Sequence, residues 1–304
     1  MGTGLPFDDA EYAGVLRREF GMMTPENAMK FGPLRPTRHA FDFEAADALV
    51  DFAAAHDMAV RGHTLVWHNQ LPEWLTDTSE AAWSREQLVE ILEEHVATVV
   101  EHYRGKVVAW DVVNEAVEED ALRDNIWLRT IGPEYIAMAF EAAHEADPEA
   151  LLFYNDYGAE GLGPKSDAVY ALVEGLVEDG VPIHGVGFQM HVSTEWAPSA
   201  QDVAANMKRL ADLGLEGHIT EMDVRMPLPP TEEKLSQQAR VYERMLNVCL
   251  DASNCSAFVT WGVTDRYSWI PDVFEGEGAA LLFDEQYAPK PAYDALQNAL
   301  GTGV

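Results

Sequence analysis

Glutamates, imidazoles and indoles recur in this chain at one kind of place, just past a short apolar run. Glu26 and Asn27 with Lys30 follow one such place and His63 with Trp67 the next. Asn114 and Glu115, Asn155 with Tyr157, Gln189 with His191, Glu221 with Asp223, and Trp261 followed by Trp269 come after in order. One polar residue at such a position is commonly a satisfied strand end. Structural loops, however, favour Gly, Pro and Ser and do not concentrate indoles with carboxylates. Glu115 and Glu221 form the kind of pair that glycosidic cleavage requires, one protonated to serve the leaving oxygen and one ionised to attack the anomeric carbon. Their environments must therefore differ. Asp223 lies two residues beyond Glu221, so on an extended segment both side chains share a face, where Asp223 can orient a neighbouring imidazole. His191 is the expected partner. That imidazole would hold Glu221 charged, while Asn114 offers an amide to a sugar hydroxyl. Trp67, Trp261 and Trp269 offer flat apolar faces for sugar rings, whereas Trp110 and Trp127 read as core.

These residues need a scaffold that brings successive strand ends together. Helical periodicity is clear in SREQLVEILEEHVATVVEHY, where Ser84 and Gln87 form a capping-box pattern and Leu88, Ile91, Leu92, Val96 and Val99 recur on one face. Similar stretches run through Tyr12–Phe20, Glu44–His56, Pro133–Ala146, Lys165–Glu178, Ala200–Leu213, Glu232–Leu250 and Pro291–Leu300. Between them lie VRGHTLVW, VVAWDVVNE, ALLFYNDY, IHGVGFQMH, EGHITEMDV and SAFVTWGVTD, continuous apolar runs that predict strands buried on both faces. Strands alternating with helices predict an α/β protein with a parallel sheet. An open doubly wound sheet would carry a Gly-rich loop after its first strand, and none is present. The expectation is a single (β/α)8 barrel, a TIM barrel, over residues 1–304, with the chemistry on the face formed by the strands' carboxyl ends.

The net charge of -32, from 52 acidic against 20 basic residues, excludes nucleic acid and anionic membranes as partners and leaves an uncharged polymer unopposed. The same balance, poor in lysine, predicts a salt-adapted (halophilic) protein, because concentrated salt screens self-repulsion. No apolar run is long enough to cross a bilayer, and the first residues carry no export signal. The 10 histidines are scattered, with His95, His102 and His144 on amphipathic helices, and no H-E-x-x-H motif occurs. No metal and no cofactor are expected. A G-x-S-x-G elbow is likewise missing, which argues against a serine hydrolase. With 2 cysteines, Cys249 and Cys255, a disulfide framework cannot be what holds the chain together, although the pair could close one short loop.

The segments TPENAMK, RGHTLVWHNQLPEW, WDVVNEA, GFQMH, ITEMDV and WGVTDRYSW, in that order, resemble the signatures of glycoside hydrolase family 10, the endo-β-1,4-xylanases, and the resemblance spans essentially the whole chain. It implies Glu115 as acid/base and Glu221 as nucleophile of a retaining enzyme acting on xylan and xylo-oligosaccharides. It also implies that Glu26, Asn27, Lys30, His63, Trp67, Asn114, Gln189, His191, Trp261 and Trp269 line the glycone-side subsites. Asn155 and Tyr157, which end the next strand after Glu115, are expected to bind sugar as well. The pair in CLDASNC is similar to a disulfide of that family, which suits an exported, monomeric enzyme. One departure stands out: only MGTG precedes the first helix, so the first strand is expected to be cut short. Non-hydrolytic glycan binding and action on glucans or aryl-glycosides are the alternatives.

Overall fold

The computed structural model describes residues 9–77 and 83–301. Seven strands, Met22–Met23, Ala59–Val66, Ala109–Asn114, Leu151–Asp156, Gly185–Phe188, Glu216–Pro227 and Phe258–Thr260, pair in chain order. All of these pairs are parallel. Each strand is followed by a helix that returns the chain to the opposite edge, which is the winding of a (β/α)8 barrel. They occupy the second to eighth strand positions. The first position, expected to be cut short, falls among residues 1–8 and lies outside the described residues.

The helices form where the periodicity places them. Ser84 accepts from the Gln87 amide and Gln87 returns a bond to the Ser84 backbone, so the capping box opens the Arg85–His102 helix as its sequence predicts. That helix buries Leu88, Ile91, Leu92, Val96 and Val99 against the sheet. At the first helix the observed span, Ala10–Glu19, begins two residues before the sequence expectation. Asp9 caps it, accepting from the amides of Glu11 and Tyr12. Asp9 also accepts from the hydroxyls of Tyr267 (3.0 Å) and Tyr287 (2.6 Å), tying the first helix to the last loops.

The strands from Ala59–Val66 to Glu216–Pro227 are buried along nearly their whole length, as continuous apolarity requires, whereas Phe258–Thr260, also expected to be buried on both faces, is only half-buried; Trp110 and Trp127 are fully enclosed. Gly62 exists for Trp110: a Cβ at that position would lie 2.1 Å from the indole ring. The barrel interior beneath the carboxyl face also holds charge. Arg61 donates to Asp111 at 2.5 Å and contacts His218, while His63 donates to the other Asp111 oxygen at 2.9 Å, all four being essentially inaccessible. Such charges are tolerable in a core only when paired in this way. A disulfide joins Cys249, in the last turn of the Glu232–Asp251 helix, to Cys255 just past it.

Candidate active site

Irregular pairing aims the site residues. Phe188 pairs with Ile219 and His191 with Asp223, so Thr220, Glu221 and Met222 stand opposite only Gln189 and Met190. On the other flank Phe258 pairs with Ile219 and Thr260 with Met222, again leaving an extra residue on the Glu221 strand. This bulge bends the strand and turns successive side chains toward the barrel axis. Register also slips between His63 and Val66 and between Asp111 and Val113. Each slip falls beside a predicted site residue.

Glu221 is held from three sides. Asn155 Nδ2 donates to Oε1 at 2.6 Å, His191 Nε2 to Oε2 at 3.2 Å, and His63 Nδ1 lies 3.8 Å from Oε1. Asp223 Oδ2 accepts from His191 Nδ1 at 2.9 Å and from Trp269 Nε1 at 2.8 Å, so it orients the imidazole as alternation along the strand predicts. Burial opposes charge on this imidazole, but Asp223 and Glu221 outweigh it and push the His191 pKa up to about 10. Burial alone would raise the Glu221 pKa. The charges of His63 and His191, with the His191 hydrogen bond, reverse that and hold it below the ordinary carboxylate value.

Glu115 stands in different company. It has left the strand at φ +56, and its carboxylate accepts from Trp67 Nε1 at 2.9 Å and Gln189 Nε2 at 3.0 Å, with Asn114 Nδ2 at 3.4 Å. His68 lies 3.9 Å away, and burial lowers its pKa, opposed by Glu115 itself. Neutral donors therefore bond the Glu115 carboxylate, while His191 puts a cationic imidazole against Glu221.

Most of the predicted residues meet in one groove at the strand ends: Glu26, Asn27, Lys30, His63, Trp67, Asn114, Glu115, Tyr157, Gln189, His191, Glu221, Trp261 and Trp269 all line it. Lys30 donates to Asn27 Oδ1 at 3.1 Å and lies 4.9 Å over the Trp67 ring. Burial lowers its pKa, opposed by Glu221, Glu26 and Glu115. Burial also raises Glu26 to about 7, against the pull of Lys30.

Asn155, expected at the sugar, is fully buried behind the groove. Its amide is spent on Asn114 and Glu221, and its carbonyl accepts from Thr220. Tyr157 is exposed at the rim, its hydroxyl accepting from Arg123. Sequence reasoning assigned no role to His68 or Thr220, although both stand beside a residue it did single out. His63, Asp111 and Glu221 are close enough to hold a cation, but Arg61 already occupies Asp111 and its charge opposes one.

An aromatic-lined groove holding two glutamates in unlike surroundings, at the carboxyl face of a parallel barrel, defines the class of (β/α)8 glycoside hydrolases. The chain belongs to glycosyl hydrolase family 10, whose model matches residues 4–299. It is 49% identical over 295 residues to endo-1,4-beta-xylanase B of Thermotoga neapolitana, covering 96% of this chain and 84% of the relative. Among solved structures it resembles xylanase 10B from Thermotoga petrophila RKU-1 in complex with xylobiose, with TM-score 0.93 and 46% identity, covering 97% of this chain and 90% of that one. A GH10 xylanase from Bispora sp. MEY-1 with xylobiose superposes with TM-score 0.94 at 37% identity, covering 98% and 93%.

Proposed function

We propose that this protein is a retaining endo-1,4-β-xylanase in which Glu221 attacks the anomeric carbon and Glu115 first protonates the leaving oxygen and then deprotonates the incoming water. The carrying observation is the electrostatic contrast between the two glutamates. An imidazolium bonded to Glu221 keeps that carboxylate ionised, as a nucleophile must be. Indole and amide donors bond the Glu115 carboxylate with no cation among them, Arg123 reaching only the backbone carbonyl, which suits a group that must carry a proton. In the first step the Glu221 oxygen bonds to the sugar carbon while the glycosidic bond breaks, the leaving oxygen taking the Glu115 proton. In the second step Glu115 takes a proton from water, whose oxygen displaces Glu221.

The groove residues Glu26, Asn27, Lys30, His63, Trp67, Asn114, Gln189, Trp261 and Trp269 bind sugar in this reading, with Asn155 and Asp223 supporting Glu221 and His191 from behind. Xylan rather than cellulose is the expected substrate, a preference that the family resemblance implies and that the substrate comparison below tests. The xylobiose bound to two similar structures supports the xylose-based substrate. So does the net charge of -32, which leaves a neutral polymer unopposed. Among the described residues no helix is long and apolar enough to cross a membrane. The disulfide suits export to an oxidising compartment. The acid-rich, lysine-poor composition suits a salt-adapted monomer.

Retention requires carboxylates about 5–5.5 Å apart, whereas a separation near 9 Å would leave room for water and give inversion. The test is the first-formed anomer, followed by proton NMR, alongside reducing-sugar release from xylan and carboxymethylcellulose with Glu221→Ala as control. We expect the β-anomer first and turnover of xylan only. An initial α-anomer, or undiminished activity in the mutant, overturns the assignment.

A further inference from the structure

Glu160 is a buried carboxylate that the groove chemistry does not use. It is 2% exposed, lies in the loop after the Leu151–Asp156 strand, and is absent from the groove lining. Its own backbone is anchored from the Ala200–Asp212 helix, where Asn206 Nδ2 donates to the carbonyls of Ala159 (2.7 Å) and Glu160 (3.0 Å). Its carboxylate Oε1 accepts two backbone N–H groups, from Gly158 at 3.0 Å and from Met190 at 3.1 Å.

The second of these bonds is the informative one. Met190 is fully buried and adopts φ +62, a left-handed conformation that costs a side-chain-bearing residue on the order of 1 kcal/mol and persists only where the surroundings enforce it. At Met190 the strand pairing breaks, ending at Phe188 and resuming at His191 one residue out of step with the Glu221 strand. The residues on either side are Gln189, which donates to Glu115 at 3.0 Å, and His191, which contacts Glu221 at 3.2 Å. One backbone turn thus aims a hydrogen-bonding side chain at each of the two glutamates.

We propose that Glu160 is a positioning residue which, by gripping the Met190 amide, sets Gln189 against Glu115 and His191 against Glu221 at the same time. This rests on the reading of Glu115 and Glu221 as the reacting pair. The bond uses the reach of the carboxylate and needs only an acceptor oxygen. Shortening the side chain must therefore do harm, while replacing the carboxylate by an amide must not.

The experiment compares Glu160→Asp and Glu160→Gln with the wild type in kcat, KM, pH profile and melting temperature on xylo-oligosaccharides. Aspartate withdraws the acceptor by roughly 1.5 Å, and misplacements near 1 Å cost up to about a hundredfold in rate. We expect Glu160→Asp to lose at least about tenfold in kcat, with KM within about threefold. Its acid limb should move upward as His191 retreats from Glu221, whose other titratable neighbours, His63, Asp111, Lys30 and Glu26, stay in place. Glu160→Gln should stay within about threefold, with its profile intact. A folded Glu160→Asp with wild-type kcat and an unmoved acid limb overturns the inference. So does a Glu160→Gln more impaired than Glu160→Asp, or a pair that lose melting temperature alone. A wild type inert toward xylo-oligosaccharides overturns instead the functional reading beneath it.

Discussion

Asp223→Asn separates the charge of His191 from its placement. Oδ2 of Asp223 accepts both the His191 and Trp269 N–H groups, whereas Oδ1 has no partner. An asparagine will therefore keep its oxygen toward those donors and turn its amide nitrogen to the empty side. His191 remains protonated at Nδ1, but it has lost the larger of the two anionic influences that lift its pKa to about 10; Glu221 alone must then offset burial, so the ring is expected to be mostly uncharged near neutrality. Its Nε2 then presents a lone pair to Glu221 Oε2 across 3.2 Å, where a positive N–H had been. Unit charges at that distance interact by about 5 kcal/mol at an effective dielectric near 20, and solvent and rearrangement take back a good part of this. The Glu221 pKa should rise, and the acid limb of kcat/KM should move upward with it by about one pH unit or more. Activity will fall steeply at pH 5 and recover partly toward neutrality. The same substitution has a stability signature. A histidine whose folded pKa is raised from 6.5 to about 10 stabilises the fold fully below pH 6.5 and loses that contribution as pH rises through 10. The wild type should therefore lose on the order of 3–5 kcal/mol between pH 6.5 and 10 that the variant never had, read as pH-dependent melting temperatures. An acid limb displaced by less than about 0.3 unit in a folded Asp223→Asn would refute the claim that His191 acts on Glu221 through its charge.

Glu26, lifted to about 7 by burial, should add a neutral-range ionisation to KM. Because its folded pKa lies above the ordinary value, the protonated form favours the fold. Glu26→Gln should flatten KM between pH 6 and 8 and raise stability at pH 8 by about 1–3 kcal/mol, checked by titrating KM and by melting curves. Gly62→Ala drives a methyl group into the Trp110 ring and should cost at least about 1–3 kcal/mol in chemical denaturation without changing the pH profile of the folded fraction.

Much of this site was legible because its residues follow their strands directly. WDVVNE announces a buried strand and the glutamate past its end, and the helix beginning at Ser84 could be capped on paper. Aim and register were not legible. Strict alternation puts Glu221 and Asp223 on one face, and they are. It cannot foresee the bulge that turns Thr220 toward Asn155 as well, because a bulge depends on both neighbouring strands. The two-residue strand Met22–Met23 is too short to show a period. Arg61 and Asp111 read as interruptions of apolar runs, since the charge that makes each tolerable inside the barrel lies fifty residues away along the chain. Glu160 escaped notice because an acidic residue in a Gly-rich loop looks solvated until its oxygen is found on the Met190 amide.

The net charge of -32 and the site pull in opposite directions, and the difference in their exposure separates them. Excess surface carboxylates repel one another across water, a repulsion that molar salt shortens to a Debye length of about 3 Å. The contacts that tune Glu221 are made over hydrogen-bond distances among Glu221, His191 and Asp223, which are largely shielded from solvent and little screened by ions. Stability should therefore climb with sodium chloride, and the acid limb of kcat/KM should stay within about half a unit over the same series. Melting temperature and pH–rate profiles from 0.1 to 3 M salt check both halves. A melting temperature indifferent to salt removes the adaptation, and an acid limb that travels with salt means that the surface field, not His191, sets the charge on Glu221.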